Sequence, residues 1–204
     1  FTISMALTIP ATMALFIIPL PLISALFQYG QTTSADAVAM ATATSIYALG
    51  LPAFVLQKVY QPIYFARGDT KTPFRFAVLS MIINSLIAFG LMPFYGWIAA
   101  PIATTVSAWA MITLLFVGTK KFGASSQLSK ISRSKFVLII ISSFAMGLFL
   151  WIADYLLKKE VASLIEKISF ASFLVLMGAA IYTFVANFLG AFSIKEIQEV
   201  IKKS

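Results

Sequence analysis

"YFARGDTKTPFR", residues 64–75, places three cations, an anion, a glycine and a proline between two long apolar runs. Arg67 and Gly68 read as the end of one helix, since glycine takes the left-handed conformation that closes a C-terminus. Thr72 and Pro73 read as the N-cap and first position of the next helix, where proline's absent N–H removes no bond. Asp69 stands just ahead of that helix and favours its positive end. The stretch is therefore a tight reversal, and the apolar runs on either side of it are helices.

Composition says what surrounds those helices. Of 204 residues, 60% are hydrophobic and 11% charged, against about 25% charged in soluble domains. This is the composition of a membrane protein. Absent Cys and His exclude disulfides and imidazole chemistry, and seven acids are few for metal binding or general acid catalysis. No catalytic residue, metal site or cofactor is expected, and the chain is read as a non-enzyme. The net charge of +8 is divided into short clusters between apolar runs. A bilayer accounts for that pattern more simply than nucleic acid does, so no nucleic-acid partner is expected. Phe1 opens directly on a spanning-type run with no basic region ahead of it, unlike a signal peptide. The expectation is a reading frame that starts inside a longer protein.

Six runs reach the length of about 20 residues that a spanning helix needs: 2–27, 37–65, 74–92, 97–118, 136–157 and 168–189. Hydrocarbon satisfies no open backbone group, so these runs must be helices. The fold class is all-α, a polytopic bundle of six transmembrane helices followed by a short C-terminal amphipathic helix. Ser193 and Glu196 there have capping-box spacing, with Phe192 and Ile197 placed as a hydrophobic staple. Ile194, Ile197, Val200 and Ile201 share an apolar face suited to a membrane surface. The chain divides into a four-helix part (1–118), a basic linker (119–135), two further spans (136–190) and the tail (191–204).

Orientation follows from the cations. Twelve of the fifteen fall on one side: Lys58, Arg67, Lys71, Arg75, Lys120, Lys121, Lys130, Arg133, Lys135, Lys195, Lys202 and Lys203. Three, Lys158, Lys159 and Lys167, fall on the other. The positive-inside rule places the first group, the linker and the C-terminus in the cytoplasm.

Prolines 10, 19 and 21 interrupt the first span, Gly50, Pro52 and Pro62 the second, and Pro101 lies early in the fourth. Such breaks occur in moving parts and in static bundles alike. Polar residues within the spans are mild: Thr42, Thr44, Ser45, Tyr47, Gln57, Asn84, Ser85, Thr104, Thr105, Ser107, Thr183 and Asn187. Asn84, Thr104 and Thr105 form a candidate intramembrane polar path, beside the plainer reading of helix-to-helix hydrogen bonds. Asp154 reads as interfacial.

"GLPAFVLQKVYQPIYFARGDTKTPFR", residues 50–75, resembles the MurJ/MviN lipid II flippase family of the MOP superfamily. Members carry a similar Gly-Leu, Lys-Val, Pro, Tyr, Arg, Asp-Thr, Thr-Pro series at a cytoplasmic helix junction. "FTISMALTIPATMALFIIPLPLISALFQYG", residues 1–30, is similar too, and the likeness thins toward the tail. The resemblance implies fourteen helices in two lobes, of which this chain supplies the ninth to fourteenth. It implies alternating-access transport of lipid II, the lipid-linked peptidoglycan precursor, across the bacterial cytoplasmic membrane. Partners would be lipid II, membrane lipids and the missing N-terminal lobe, without which these residues should not transport. It also implies a lipid-tail groove on 136–157 and 168–189. Lys58, Tyr64, Arg67, Gly68, Asp69, Lys71, Thr72, Pro73 and Arg75 fall on the junction motif and are assigned to its architecture and gating. Sodium coupling would want an acid beside Asn84 and Thr104, and Ala88, one turn from Asn84, offers none. Two alternatives stand beside the flippase: a MOP-superfamily exporter of a drug, polysaccharide or other lipid-linked sugar, and a non-transporting membrane scaffold.

Overall fold

Small residues recur at the helix contacts of this protein, and many large apolar ones face outward. The last long helix buries Ala171, Gly178 and Ala186 while exposing Leu176, Phe184 and Phe188. In water so much exposed apolar surface would drive association. In lipid it is the expected arrangement, because small residues let helix backbones approach and tails solvate the rest.

The computed structural model describes residues 2–120, 122–123, 130–157 and 163–191, with side chains described throughout except at 130–133. Every regular element among them is helical: α1 (Thr2–Ile17), α2 (Pro19–Phe27), α3 (Ser34–Ala48), α4 (Leu51–Phe65), α5 (Lys71–Tyr95), a 3-10 turn (Gly96–Ile98), α6 (Ala99–Thr119), α7 (Lys130–Leu157) and α8 (Leu164–Phe188). Ser34–Phe65, Ser134–Leu157 and Leu164–Phe188 are each apolar and long enough to cross a membrane. Lys71–Thr119 is one apolar stretch of 49 residues, which as a single rod would be about 74 Å long against a core of about 30 Å. It is instead the hairpin of α5 and α6, packed side by side across the turn at Gly96. The chain is an all-α polytopic membrane protein. The amphipathic helix expected from Ser193 onward lies outside the described residues.

The chain divides into two compact units, residues 46–129 and residues 2–45 together with 130–204. In the second of these, α1 packs on α7, α7 on α8 and α2 on α8. Ile18, Ile139, Met146, Leu150, Leu174 and Tyr182 form its core. Gly178 faces Leu150, whose nearest carbon would lie 3.2 Å from an added Cβ. The run 2–27 is no straight rod: α1 and α2 meet at 82°. Pro19 and Pro21 have no N–H to return to the carbonyls of Leu15 and Ile17, so two helical bonds close together are lost and the chain turns at Ile18. Buried Ile18 fills the corner.

Most hydroxyls in the spans are satisfied by their own helix. Thr8, Thr12, Thr42, Thr44, Ser142, Ser143 and Thr183 each donate to the carbonyl four residues back. Two helix starts are closed by reciprocal capping, Thr33 with Asp36 for α3 and Ser163 with Glu166 for α8. The second pair extends the last helix four residues ahead of its expected start at Ile168.

In the unit of residues 46–129, α4 and α5 both lie against α6. Ala53, Tyr60, Tyr64, Ala108, Met111, Ile112 and Leu115 form its core. Arg67, Lys71, Arg75 and Lys120 gather at one end of it, where α4 finishes, α5 begins and α6 finishes.

Candidate functional site

The junction of α4 and α5 is built mainly from its own backbone. Gly68 has φ +71°, a value that favours glycine. From there the Asp69 N–H reaches the Tyr64 carbonyl at 3.1 Å and the Gly68 N–H reaches Phe65 at 2.9 Å. This pair of bonds is a Schellman closure. Arg67 Nη1 adds a bond to the Ile63 carbonyl at 3.0 Å. The cap of α5 differs from the one expected: Asp69 Oδ1, not Thr72, accepts, and it takes the Thr72 N–H at 3.0 Å. The helix has already begun at Lys71. A carboxylate three residues ahead of that N–H combines a cap with a charge suited to the helix's positive end. Pro73 is then buried in the first turn, where its absent N–H is still no loss.

Tyr64 ties the junction to α6. Fully buried, it donates its hydroxyl to the Leu115 carbonyl at 2.7 Å. Its ring stands edge-on to Phe76 (centroids 6.5 Å apart) and Phe122 (5.3 Å). The Arg67 guanidinium lies over the Phe122 ring, 4.5 Å from its centroid. Lys58, Lys71 and Arg75 are exposed. Thus Tyr64, Arg67, Gly68, Asp69, Thr72 and Pro73 form one constructed corner, with the exposed Lys71 and Arg75 in the first turns of α5 beside it and Lys58 further back along α4. Phe122 was not among the expected residues; nothing local at that position signals a partner so far back in the chain.

Farther along the same three helices lies an open groove of about 310 Å³, lined by Gln57, Gln61, Ser80, Asn84, Ser107 and Met111 among others. Asn84 Nδ2 donates to Thr104 Oγ1 at 3.3 Å and to Ser107 Oγ at 3.2 Å. Ser80 donates to the Ser107 carbonyl at 2.8 Å, Ser107 to the Thr104 carbonyl at 3.0 Å, and Gln57 Nε2 to the Ala108 carbonyl at 3.1 Å. Asn84 and Thr104 are thus brought together. Thr105 is turned away and donates to the Ile46 carbonyl at 2.9 Å. The groove is neutral: its lining offers amide and hydroxyl groups to a polar group or water and includes no acid or base to move a proton. Gln61 and Ser80 escaped the sequence reading, although Gln57 with Gln61 and Ser80 with Asn84 are each four apart and so share a helix face. Among the described residues no three acids gather as a metal-binding group.

Comparison with known proteins places this chain in a family. A family model described as lipid II flippase MurJ matches residues 1–170. Over 114 residues the chain is 38% identical to the probable lipid II flippase MurJ of Rickettsia prowazekii (strain Madrid E), covering 56% of this chain and 22% of that protein. It is 28% identical over 199 residues to the Rhizobium tropici protein of the same name, and 32% identical over 204 residues to that of Rhizobium meliloti (strain 1021). Each of those two alignments covers 97% of this chain and 37% of the relative. The chain thus spans well under half the length of these curated relatives.

Proposed function

We propose, from the premise that this chain belongs to the lipid II flippase MurJ family, that it is the C-terminal part of a transporter of a lipid-linked peptidoglycan precursor. The observation that carries the reading is the family match along residues 1–170, which includes the whole α4–α5 junction. Residues 1–118 would contribute four helices to the second lobe, 119–135 a basic linker, and 136–190 two further spans. The cation clusters support a cytoplasmic side for the junction, the linker and the C-terminus, in the bacterial inner membrane that this reading implies. Alternating access needs two lobes, so these residues alone are not expected to transport.

In this reading the corner of Tyr64, Arg67 and Asp69 fixes the cytoplasmic ends of α4, α5 and α6. The exposed Lys71 and Arg75 face anionic headgroups there. The groove at Asn84 and Thr104 gives this lobe a neutral polar interior.

The test uses the full-length protein that contains this chain, expressed in bacteria depleted of their own flippase. Growth should resume and lipid II should reach the outer leaflet. Lysis, with lipid II held on the inner leaflet despite normal membrane insertion, would overturn the reading.

A second prediction concerns the corner. Arg67→Glu together with Lys71→Glu removes the stacking on Phe122 and the bond to Ile63, and places two anions among the basic ends. Correctly oriented protein, measured by cysteine labelling from each side, is expected to fall several-fold, and complementation with it. Unchanged labelling and growth would leave the corner no special part in orientation.

A further inference from the structure

Ser34–Phe65 is a single membrane-length run of 32 residues, yet α3 stops at Ala48 and α4 restarts at Leu51, midway along it. The cause is local. Pro52 has no N–H to return to the Ala48 carbonyl. The Gly50 N–H bonds to the Tyr47 carbonyl at 2.9 Å, three residues back, so it does not serve Ile46 as a regular helix would. Carbonyls are thereby opened at the depth where no water reaches them.

Two carbonyls at the break, those of Ile46 and Leu49, are held from α6. Thr105 Oγ1 donates to the Ile46 carbonyl at 2.9 Å, and Trp109 Nε1 donates to the Leu49 carbonyl at 2.9 Å. The two donors are four residues apart, one turn of the same helix, and so address the break together. An added Cβ at Gly50 would meet the Tyr47 carbonyl and the Phe54 ring at 3.2 Å and Thr105 Oγ1 at 3.3 Å. The contact with α6 is therefore close at the break. Thr105 is buried, whereas Trp109 is 43% exposed. One donor thus sits inside the packing and the other at its rim.

We propose that residues 49–52 are a swivel in the middle of this span, and that Thr105 and Trp109 are a two-point latch holding the helix break open. The backbone has two ways to satisfy Ile46. With the break open Thr105 supplies the donor; with it closed the Gly50 N–H moves from Tyr47 back to Ile46, and α6 is released. Pro52 leaves the Ala48 carbonyl without its helical donor in either form, and the latched form prevails through the two bonds from α6. Trp109, at the rim, can leave Leu49 without disturbing the core. Thr105 and Trp109 act here as positioning residues, through the carbonyls they hold. The inference rests on backbone geometry and on no cargo, so it stands or falls separately from the transport reading.

Hydrogen–deuterium exchange on the full-length protein in detergent tests it. Trp109→Phe and Thr105→Val each remove one donor while keeping an apolar side chain in place. In each variant, exchange in the peptide covering 46–54 should quicken by about threefold to tenfold, the range for one lost hydrogen bond. The peptide covering 64–76 should not change, and Thr105→Ser, which keeps the hydroxyl, should behave as the parent. Quickening spread evenly over 46–119 would show that the two side chains only pack, and no quickening at 46–54 would show that they hold nothing. Either result overturns the latch. Because each single variant is decisive, the test does not depend on the double variant folding.

Discussion

Gly118→Ala is expected to destabilise the unit of α4, α5 and α6 by about 2–5 kcal/mol. A Cβ at Gly118 would overlap the Tyr64 hydroxyl and stand 3.2 Å from a Phe76 ring carbon. Tyr64 has nowhere to withdraw. Its side chain is fully buried, its ring is held between Phe76 and Phe122, and its hydroxyl is committed to Leu115. The methyl group therefore forces either a separation of α4 from α6 or the loss of a buried hydrogen bond with no water to replace it. Thermal unfolding of the full-length protein in detergent should register this as a lowered Tm. Tyr64→Phe supplies the control. Alone it should cost about 1 kcal/mol for the lost bond, but it also removes the atom that the new methyl would strike. Combined with Gly118→Ala, the total should fall short of the sum of the single effects by at least about 1 kcal/mol. Strictly additive losses would mean that Gly118 does not make room for that hydroxyl.

That contact marks where the sequence stops being readable. Gly68 could be placed at the end of α4 because its role is settled by neighbours within five residues. That the side-chain oxygen closing the start of α5 comes from Asp69 and not Thr72 was hidden for a related reason: both are good capping types, both precede an apolar run, and only the backbone path decides which oxygen reaches an open N–H. Membrane-spanning length was legible from hydropathy alone, but the 82° between α1 and α2 was not. Prolines tell where bonds are lost, and packing against α8 tells how far the chain turns.

Hydropathy also misled at the last helix. Glu166 and Lys167 made the chain before Ile168 look like loop, although Ser163 and Glu166 carry the same capping spacing that was noticed at Ser193. The polar path was half legible. Asn84 and Thr104 are twenty residues apart and meet because the α5–α6 hairpin brings them into register. Thr105, the next residue, points about 100° away around the helix and serves Ile46 instead. Trp109 and Phe122 carried no local sign at all, since their partners at Leu49, Tyr64 and Arg67 lie far back in the chain.

Tyr182→Phe is expected to cost about 1–2 kcal/mol, and to cost it only while residue 10 is proline. Pro10 lies inside α1 and has no N–H for the carbonyl of Ala6, one turn earlier. The Tyr182 hydroxyl, from α8, donates to that carbonyl at 2.6 Å, and both residues are buried. A proline is thus tolerated in the middle of a membrane helix because a neighbouring helix supplies the donor it lacks. Pro10→Ala returns the backbone N–H to Ala6 and leaves the second lone pair of its carbonyl for Tyr182. On that background the carbonyl has a partner whether or not the tyrosine hydroxyl is present, and Tyr182→Phe should cost about 0.5 kcal/mol or less. The two substitutions, measured singly and together by thermal unfolding in detergent, should therefore couple by about 1 kcal/mol. Equal losses on both backgrounds would mean that Tyr182 contributes its ring to the core and that the gap left by Pro10 is closed in some other way.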